Sequence, residues 1–409
     1  MRTTDAFVGL DCTDCGARHD PAETPGRCPD CGGILDPAYD LNAVDIGPAD
    51  VAARPFDSLW RYEELLPFPR EAAVSMDEGA TPLVECPPLA DRLGVGRVLI
   101  KDEGRNPTGT FKDRGQTGAI TAAAEHDAGD VALNSAGNAG HAAAAYASRA
   151  GLDAHVFLPD RAGFTQKAMV EVHGADLEVV PGEITDAGAA YAEAFADNPE
   201  WHSTKTFVTP YRHDVKKTML YEIAEQLDWT APDAVVYPTG GGVGLVGMHK
   251  AARELRELGW TDALPGMYAA QSAGCAPVVR AHEDDASIHE AWADIDTPFG
   301  GIAVPDPGAS PLVLEAIEES DGGAVAAPDD AILDAAVAVA RETGVEMGAT
   351  CAVAAAGAER LADRGELGDG DTVVLLNTGT GVKDDDLLRS HVGEIGETDA
   401  ADDAGATGE

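Results

Sequence analysis

Three apolar runs in this chain end on glycine-bearing turns that lead into helical patterns, and this alternation limits the possible folds more than any other feature. AVVYP (234–238) enters Gly240-Gly241-Gly242-Val243-Gly244 and then the helical pattern LVGMHKAARELRELG. VALNS (131–135) enters Ala136-Gly137-Asn138 and a helix over 141–151 that stops at Gly151. TVVLLN (372–377) is followed by Thr378-Gly379-Thr380-Gly381. Further strands are expected over 95–101, 154–159 and 177–182, and further helices from Thr110 through Ala124 and over 167–174. Strand, glycine turn and helix in alternation mean an α/β fold with mostly parallel sheets. Such folds bind ligands at the carboxyl ends of their strands, so the three turns are expected to converge on one site.

The length, 409 residues, suggests two or three structural units. Their surface is unusual: 72 acidic side chains stand against 28 basic ones, a net charge of -44, and only eight of the basic residues are lysine. So much like charge opposes compaction at ordinary ionic strength. Because the acids are spread along the whole chain, the balance points to a halophile's surface rather than to an acidic tail on an ordinary protein. Nucleic acid and anionic membranes are disfavoured as partners. No basic segment followed by an apolar run opens the chain, and no uninterrupted apolar stretch of about 20 residues is present. The default expectation is a cytoplasmic protein.

Four of the seven cysteines form two C-x-x-C pairs, Cys12/Cys15 and Cys28/Cys31, with twelve residues between them. Each pair sets two thiolates on one side of a tight turn, and two such knuckles complete a tetrahedral sulfur site for structural zinc. Disulfides are the alternative, less suited to a reducing compartment. With all four positions occupied by Cys, no open coordination site is expected; His19 reads as a loop residue beside it. Cys86, Cys275 and Cys351 read as small buried hydrophobes. Residues 1–36 are thus expected to form a zinc ribbon, 37–80 an extended arm with short helices, and 396–409 a disordered acidic tail.

The 240–244 run has the form of a phosphate cradle, since glycine lets backbone N–H groups approach an anion at a helix N-terminus. It is neither a Walker loop nor a clean dinucleotide fingerprint, and a merely tight connection remains an alternative. Lys112, in N-P-T-G-T-F-K-D-R-G (106–115), stands near a helix start after a polar turn. A partly buried lysine with a lowered pKa forms Schiff bases; a solvated helix lysine paired with Asp113 or Glu103 is the competing possibility.

The segment K-D-E-G-R-N-P-T-G-T-F-K-D-R-G (101–115) resembles the cofactor-lysine segment of threonine synthases and their fold-type II pyridoxal-phosphate (PLP) relatives. N-S-A-G-N-A (134–139) is similar to that family's Ser-Gly-Asn loop, P-T-G-G-G-V-G-L (238–245) to its phosphate loop and N-T-G-T-G-V-K-D (377–384) to its C-terminal motif. The four motifs occur in the family's order across roughly residues 8 to 390, and an N-terminal zinc ribbon also occurs in some members.

The resemblance implies two α/β subdomains, a large PLP-binding one (81–130 and 206–395) and a small one (131–205). It implies a Schiff base between PLP and Lys112, with Asn138 on the cofactor's phenolic oxygen. The amides of Gly240, Gly241, Gly242, Val243 and Gly244 would hold its phosphate, and Thr378 would face the ring nitrogen. Ser135 would receive the substrate carboxylate. The implied reaction converts O-phosphohomoserine and water to threonine and phosphate, in a homodimer acting on a small amino-acid substrate. V-T-P-Y-R-H-D-V-K-K-T (208–218) resembles the family's substrate segment and keeps Arg212, Lys217 and Thr218. It departs at Phe207, where many members have Ser; elsewhere Ala139 replaces a Thr, and Gly or Leu replaces an Asn in the 240–245 loop. Arg212 and Lys216 would compensate as cationic ligands for the substrate phosphate, unless Lys216 and Lys217 are solvated helix residues. An ammonia-lyase or other β-replacement enzyme, needing no second phosphate site, and a noncatalytic metabolite sensor carrying a ribbon are the alternatives.

Overall fold

The computed structural model describes residues 1–392; the expected acidic tail lies outside the described residues. Three short strands come first, β1 (Phe7–Cys12), β2 (Arg18–His19) and β3 (Leu35–Tyr39), followed by helix α1 (Pro48–Ala52). Next are β4 (Leu83–Glu85), α2 (Pro87–Leu93), β5 (Arg97–Asp102) and α3 (Lys112–Glu125). A run of alternating elements follows: β6 (Asp130–Asn134), α4 (Asn138–Ala150), β7 (Asp153–Pro159), α5 (Phe164–Val172), β8 (Asp176–Val180), α6 (Ile184–Asp197) and β9 (His202–Ser203). Then come α7 (Tyr211–Val215), α8 (Thr218–Gln226), β10 (Ala234–Pro238), α9 (Val243–Glu257), β11 (Gly266–Ser272), α10 (Pro277–Glu283) and α11 (Ser310–Glu319). The last elements are β12 (Gly323–Ala327), α12 (Asp329–Thr343), α13 (Val353–Asp363), β13 (Thr372–Asn377) and α14 (Asp385–Val392).

The strands form three sheets. The first is antiparallel in the order β2-β1-β3; the second runs β12-β11-β10-β13-β5-β4, with only β4 antiparallel; the third is parallel, β8-β7-β6-β9. The six-stranded sheet is buried on both faces, which explains its apolar runs. Side chains alternate across it: Leu99, Val235, Tyr237, Val374 and Leu376 face the cluster built with α8, α9 and α11. Val98, Ile100, Val236, Val373 and Leu375 face the cluster built with α12 and α13. The alternating pattern thus folds as expected, with α4 stopped at Gly151 in the left-handed region (φ 73°). The 37–80 segment contains α1 and three short 3-10 turns. Among the described residues, no helix is long and apolar enough to cross a membrane.

Candidate active site

Strands β10, β13 and β5 are neighbours in the six-stranded sheet, so the segments leaving their carboxyl ends meet. The turn before α3 is fastened to the turn after β13: Phe111 N donates to Thr378 O (2.9 Å), Thr380 N donates to Gly109 O (3.0 Å), and Thr110 bridges Gly379. Lys112 therefore opens α3 beside Thr378. It is half-buried, with Nζ 4.5 Å from the centroid of the Phe111 ring. Neither suggested acidic partner takes it. Asp113 accepts from the Thr108 amide (2.7 Å) and hydroxyl (2.6 Å), and Glu103 is engaged by Arg114 (2.6 Å). Burial, reinforced by the Arg212 guanidinium, lowers the Lys112 pKa to about 7, so the neutral amine is accessible near neutrality.

The glycine turn follows β10 on the other side of β13. Gly242 adopts φ +72°, and an added Cβ there would lie 2.2 Å from Val313 Cγ2, so only glycine fits. Among the described residues, the amides of Gly240, Gly241, Gly242 and Val243 find no protein acceptor, and the space beside Gly241 is open. Gly244 differs: its amide donates to the Tyr237 hydroxyl (3.2 Å), and a Cβ would strike that hydroxyl at 2.5 Å. Thr378 is buried, with its Oγ1 3.2 Å from Cys351 Sγ. Cys351 is buried as expected, but it stands at the site rather than in featureless core, and burial raises its thiol pKa to about 12.

From the four-stranded sheet, the turn between β6 and α4 brings Ser135 and Asn138. Ser135 Oγ accepts from the amides of Gly137 (3.0 Å) and Gly140 (3.1 Å), leaving its own proton free to donate. Asn138 Oδ1 accepts from Gln166 Nε2 (3.3 Å). Gln116 of α3 ties this loop to the Lys112 helix by donating to Ala139 O (3.3 Å).

Arg212 and Lys216 are one helical turn apart at α7, and both are fully buried. Lys216 Nζ donates to Phe111 O (2.9 Å) and lies 4.3 Å from the ring that Lys112 also touches. Gly115 makes room for it, since a Cβ there would come within 2.8 Å of Nζ. Arg212 Nη1 donates to Thr204 O (2.9 Å), while Nε and Nη2 are buried without partners among the described residues, as are the hydroxyls of Thr204 and Thr209. Burial lowers the Arg212 pKa to about 10; burial, with Arg212 and Lys112 adding repulsion, drives that of Lys216 well down. The solvated-helix alternative for Lys216 and Lys217 does not hold. Lys217 is also buried but faces away, pairing with Asp214 (3.2 Å) and Glu254 (3.1 Å). Thr218 accepts from Arg114 Nη1 (3.1 Å). Thr204, Tyr237 and Cys351 lie outside the quoted family motifs, and Thr209, although inside the 208–218 segment, has nothing in the sequence that singles it out as a site residue.

The four ribbon cysteines lie apart from this cleft in the three-stranded sheet's turns. Their sulfurs lie within 4.8 Å of one another, with Cys12–Cys31 at 3.5 Å and Cys15–Cys28 at 3.8 Å. Gly16 and Gly32 turn the knuckles at φ 72° and 78°. His19 is not in a loop: it belongs to β2, half-buried, with Nε2 3.3 Å from Cys28 Sγ.

The model of the pyridoxal-phosphate dependent enzyme family matches residues 74–379, which span the cleft from arm to C-terminal motif. Threonine synthase of Methanosarcina acetivorans is 35% identical over 376 residues, covering 92% of each chain. That of Methanocaldococcus jannaschii is 32% identical over 92% of this chain and 93% of its own, and that of Mycobacterium bovis 35% identical over 80% and 88%. The chain belongs to the threonine synthase family of pyridoxal-phosphate dependent enzymes. Among solved structures, the processed form of tomato threonine deaminase isoform 2 superposes with a TM-score of 0.64 at 21% identity, covering 83% of this chain and 90% of the other. The K43A mutant of O-ureido-L-serine synthase gives 0.65 at 19%, covering 84% and 97%. These likenesses show the shared fold-type II architecture. The residues present fit the cofactor of a threonine synthase. A half-buried amine with depressed basicity stands at the joined turns, and unpaired amides and open space lie at a helix N-terminus.

Proposed function

We propose that this threonine synthase family member converts O-phosphohomoserine and water to threonine and phosphate, with Lys112 as its catalytic lysine. The observation that carries the reading is the buried pair Arg212 and Lys216, beside Lys112, with guanidinium donors left unpartnered. Without an anion, burial and the repulsion from Arg212 and Lys112 disfavour the Lys216 ammonium; a bound phosphate would offset that cost and complete both groups. The cofactor's own phosphate has the amides of Gly240 to Val243; the cations at α7 are supernumerary for it and suit a second phosphate, that of the substrate.

When bound, the cofactor supplies an electron sink for charge developing at the substrate's Cα. Lys112 anchors it, and the amine, neutral above about pH 7, takes the proton from Cα and then serves at Cβ. Loss of a proton from Cβ would let phosphate leave Cγ toward Arg212 and Lys216; a proton returned to Cγ, water added at Cβ and a proton returned to Cα would complete threonine. Ser135 would donate its free proton to the substrate carboxylate, Asn138 would hydrogen-bond the cofactor's phenolic oxygen, and Thr378 would meet its ring nitrogen. A hydroxyl is a poor proton source, which would leave that nitrogen largely unprotonated and suit elimination and replacement. In this reading Gly244 contributes shape rather than an amide, because Tyr237 already holds its N–H.

The cysteines hold a structural zinc. A tetrahedral site with Zn–S of about 2.3 Å sets its sulfurs about 3.8 Å apart, and the 3.5 and 3.8 Å separations need little adjustment. Metal analysis should return one zinc per chain. We further read residues 1–36 as the ribbon, 131–205 as the small subdomain, the remainder of the cleft as the large one, and the protein as a cytoplasmic homodimer working at high salt.

The departures at Phe207 and Ala139 favour a second reading, an ammonia-lyase with no need for a substrate phosphate. The assay that separates them measures phosphate release and threonine formation from O-phosphohomoserine in concentrated salt. Both products appearing together support the synthase. Formation of 2-oxobutanoate from threonine, with the phosphorylated substrate untouched, overturns it.

A further inference from the structure

The segment 211–217 presents three faces, and its neighbours on each are distinct. Arg212 and Lys216 face the Lys112 side, where they donate to Thr204 O and Phe111 O. Tyr211 and Val215 share an apolar cluster with Leu10, Cys12, Cys28 and Leu35 of the ribbon, and with Phe68, whose ring is 5.0 Å from that of Tyr211. His213 and Asp214 meet strand β3 directly. Tyr39 donates its hydroxyl to Asp214 (2.6 Å), and Asp36 pairs with His213 (2.9 Å). Lys250 of α9 closes the ring by pairing with both Asp36 (2.9 Å) and Asp214 (2.6 Å), and Lys217 lies 3.7 Å over the Tyr39 ring. Glycine removes side-chain bulk on the other flanks: a Cβ at Gly118 would come within 2.6 Å of Val215, and one at Gly247 within 2.4 Å of the His213 carbonyl.

A five-residue helix has almost no stability of its own. Its orientation must come from what touches it, and the polar contacts from the ribbon side are made by two residues of β3. We propose that the N-terminal three-stranded sheet is a clamp for the substrate-phosphate cations, with Asp36 and Tyr39 of β3, where the ribbon passes into the arm, as positioning residues that fix the angle of α7 and thereby the placement of Arg212 and Lys216. This rests on the synthase reading of the cleft. It gives the N-terminal unit a task in substrate binding although none of its atoms enters the site.

The test compares the zinc-loaded holoenzyme with Tyr39→Phe and with the Tyr39→Phe/Asp36→Asn double variant. Loss of a hydrogen bond to a buried carboxylate should raise KM for O-phosphohomoserine about 10-fold, with kcat within about twofold and cofactor absorbance and zinc content unchanged. Amide hydrogen exchange should quicken at 211–217 and stay constant at 240–244. Unchanged KM and unchanged exchange in folded variants overturn the clamp while leaving the synthase standing. A fall in cofactor uptake parallel to the rise in KM also overturns it, because the role would then be general support. If the wild type does not turn over O-phosphohomoserine, the synthase reading fails, and the exchange pattern alone decides whether β3 holds α7.

Discussion

Burial lowers the basicity of Lys112 by disfavouring the ammonium form, and Arg212 adds repulsion in the same direction. The neutral amine therefore predominates above about pH 7 and is lost below it. Cofactor capture by apoprotein, followed by absorbance, should rise with pH around a midpoint near 7; a midpoint near 10 would mean a solvated lysine. Arg212→Met removes the donors that lack protein partners. It should raise KM for O-phosphohomoserine about 10- to 100-fold, as loss of one or two charge-assisted hydrogen bonds does, with cofactor uptake retained; an unchanged KM places the substrate phosphate elsewhere. Lys112, Ser135, Asn138 and Arg212 were legible in the sequence because each sits inside a motif with local spacing. Cys351 is buried as expected, but its contact with Thr378 joins residues 27 apart along the chain, and nothing local announces it. Thr204 stayed hidden because it lies outside the 208–218 segment and meets Arg212 through its backbone carbonyl.

The strand-turn-helix units were the most readable elements. Apolar runs of the six-stranded sheet have no polar face to confuse the pattern, and each glycine turn marks where the strand stops. Edge elements were harder. β4 is three residues long and β9 two, and neither has a period to detect. The conformation of the phosphate turn depends on Gly242 at φ +72° with Val313 beneath it. A side chain there must both adopt a left-handed backbone and displace a core valine. Gly242→Ala should weaken cofactor affinity at least about 10-fold, since left-handed strain alone costs about 1–2 kcal/mol; an absorbance titration matching wild type would show that the turn does not cradle the phosphate. α7 is an element whose importance no propensity scale conveys: its five residues matter through the glycines of α3 and α9 and the strand β3 that press on it.

At the scale of the whole molecule, all eight lysines lie among the described residues and none of them is freely exposed. Lys101, Lys216 and Lys217 are buried, and Lys112, Lys167, Lys205, Lys250 and Lys383 are half-buried. Lysine has been kept where the interior uses it, as in the Lys101–Glu222–Arg114–Glu103 network with its contacts of 2.6–2.7 Å, and the excess acid is left at the surface. That distribution predicts a melting temperature that climbs steeply with potassium chloride up to molar concentrations, where the Debye length falls to roughly 3 Å. A flat or falling profile in calorimetry would mean that the charge of -44 is no burden on the fold. The excess acid was countable from composition; which few cations are interior was not, because burial is a property of the packed chain.

The central claim is that the Lys112 amine, at the joined ends of β5, β13 and β10, carries the cofactor. Borohydride reduction of the PLP-loaded protein in concentrated salt, followed by peptide mass spectrometry, tests it most directly. The account predicts a single stable pyridoxyl adduct on the peptide containing Lys112 and none in Lys112→Ala. An adduct on another lysine, or no retained adduct in protein saturated with PLP, would contradict it.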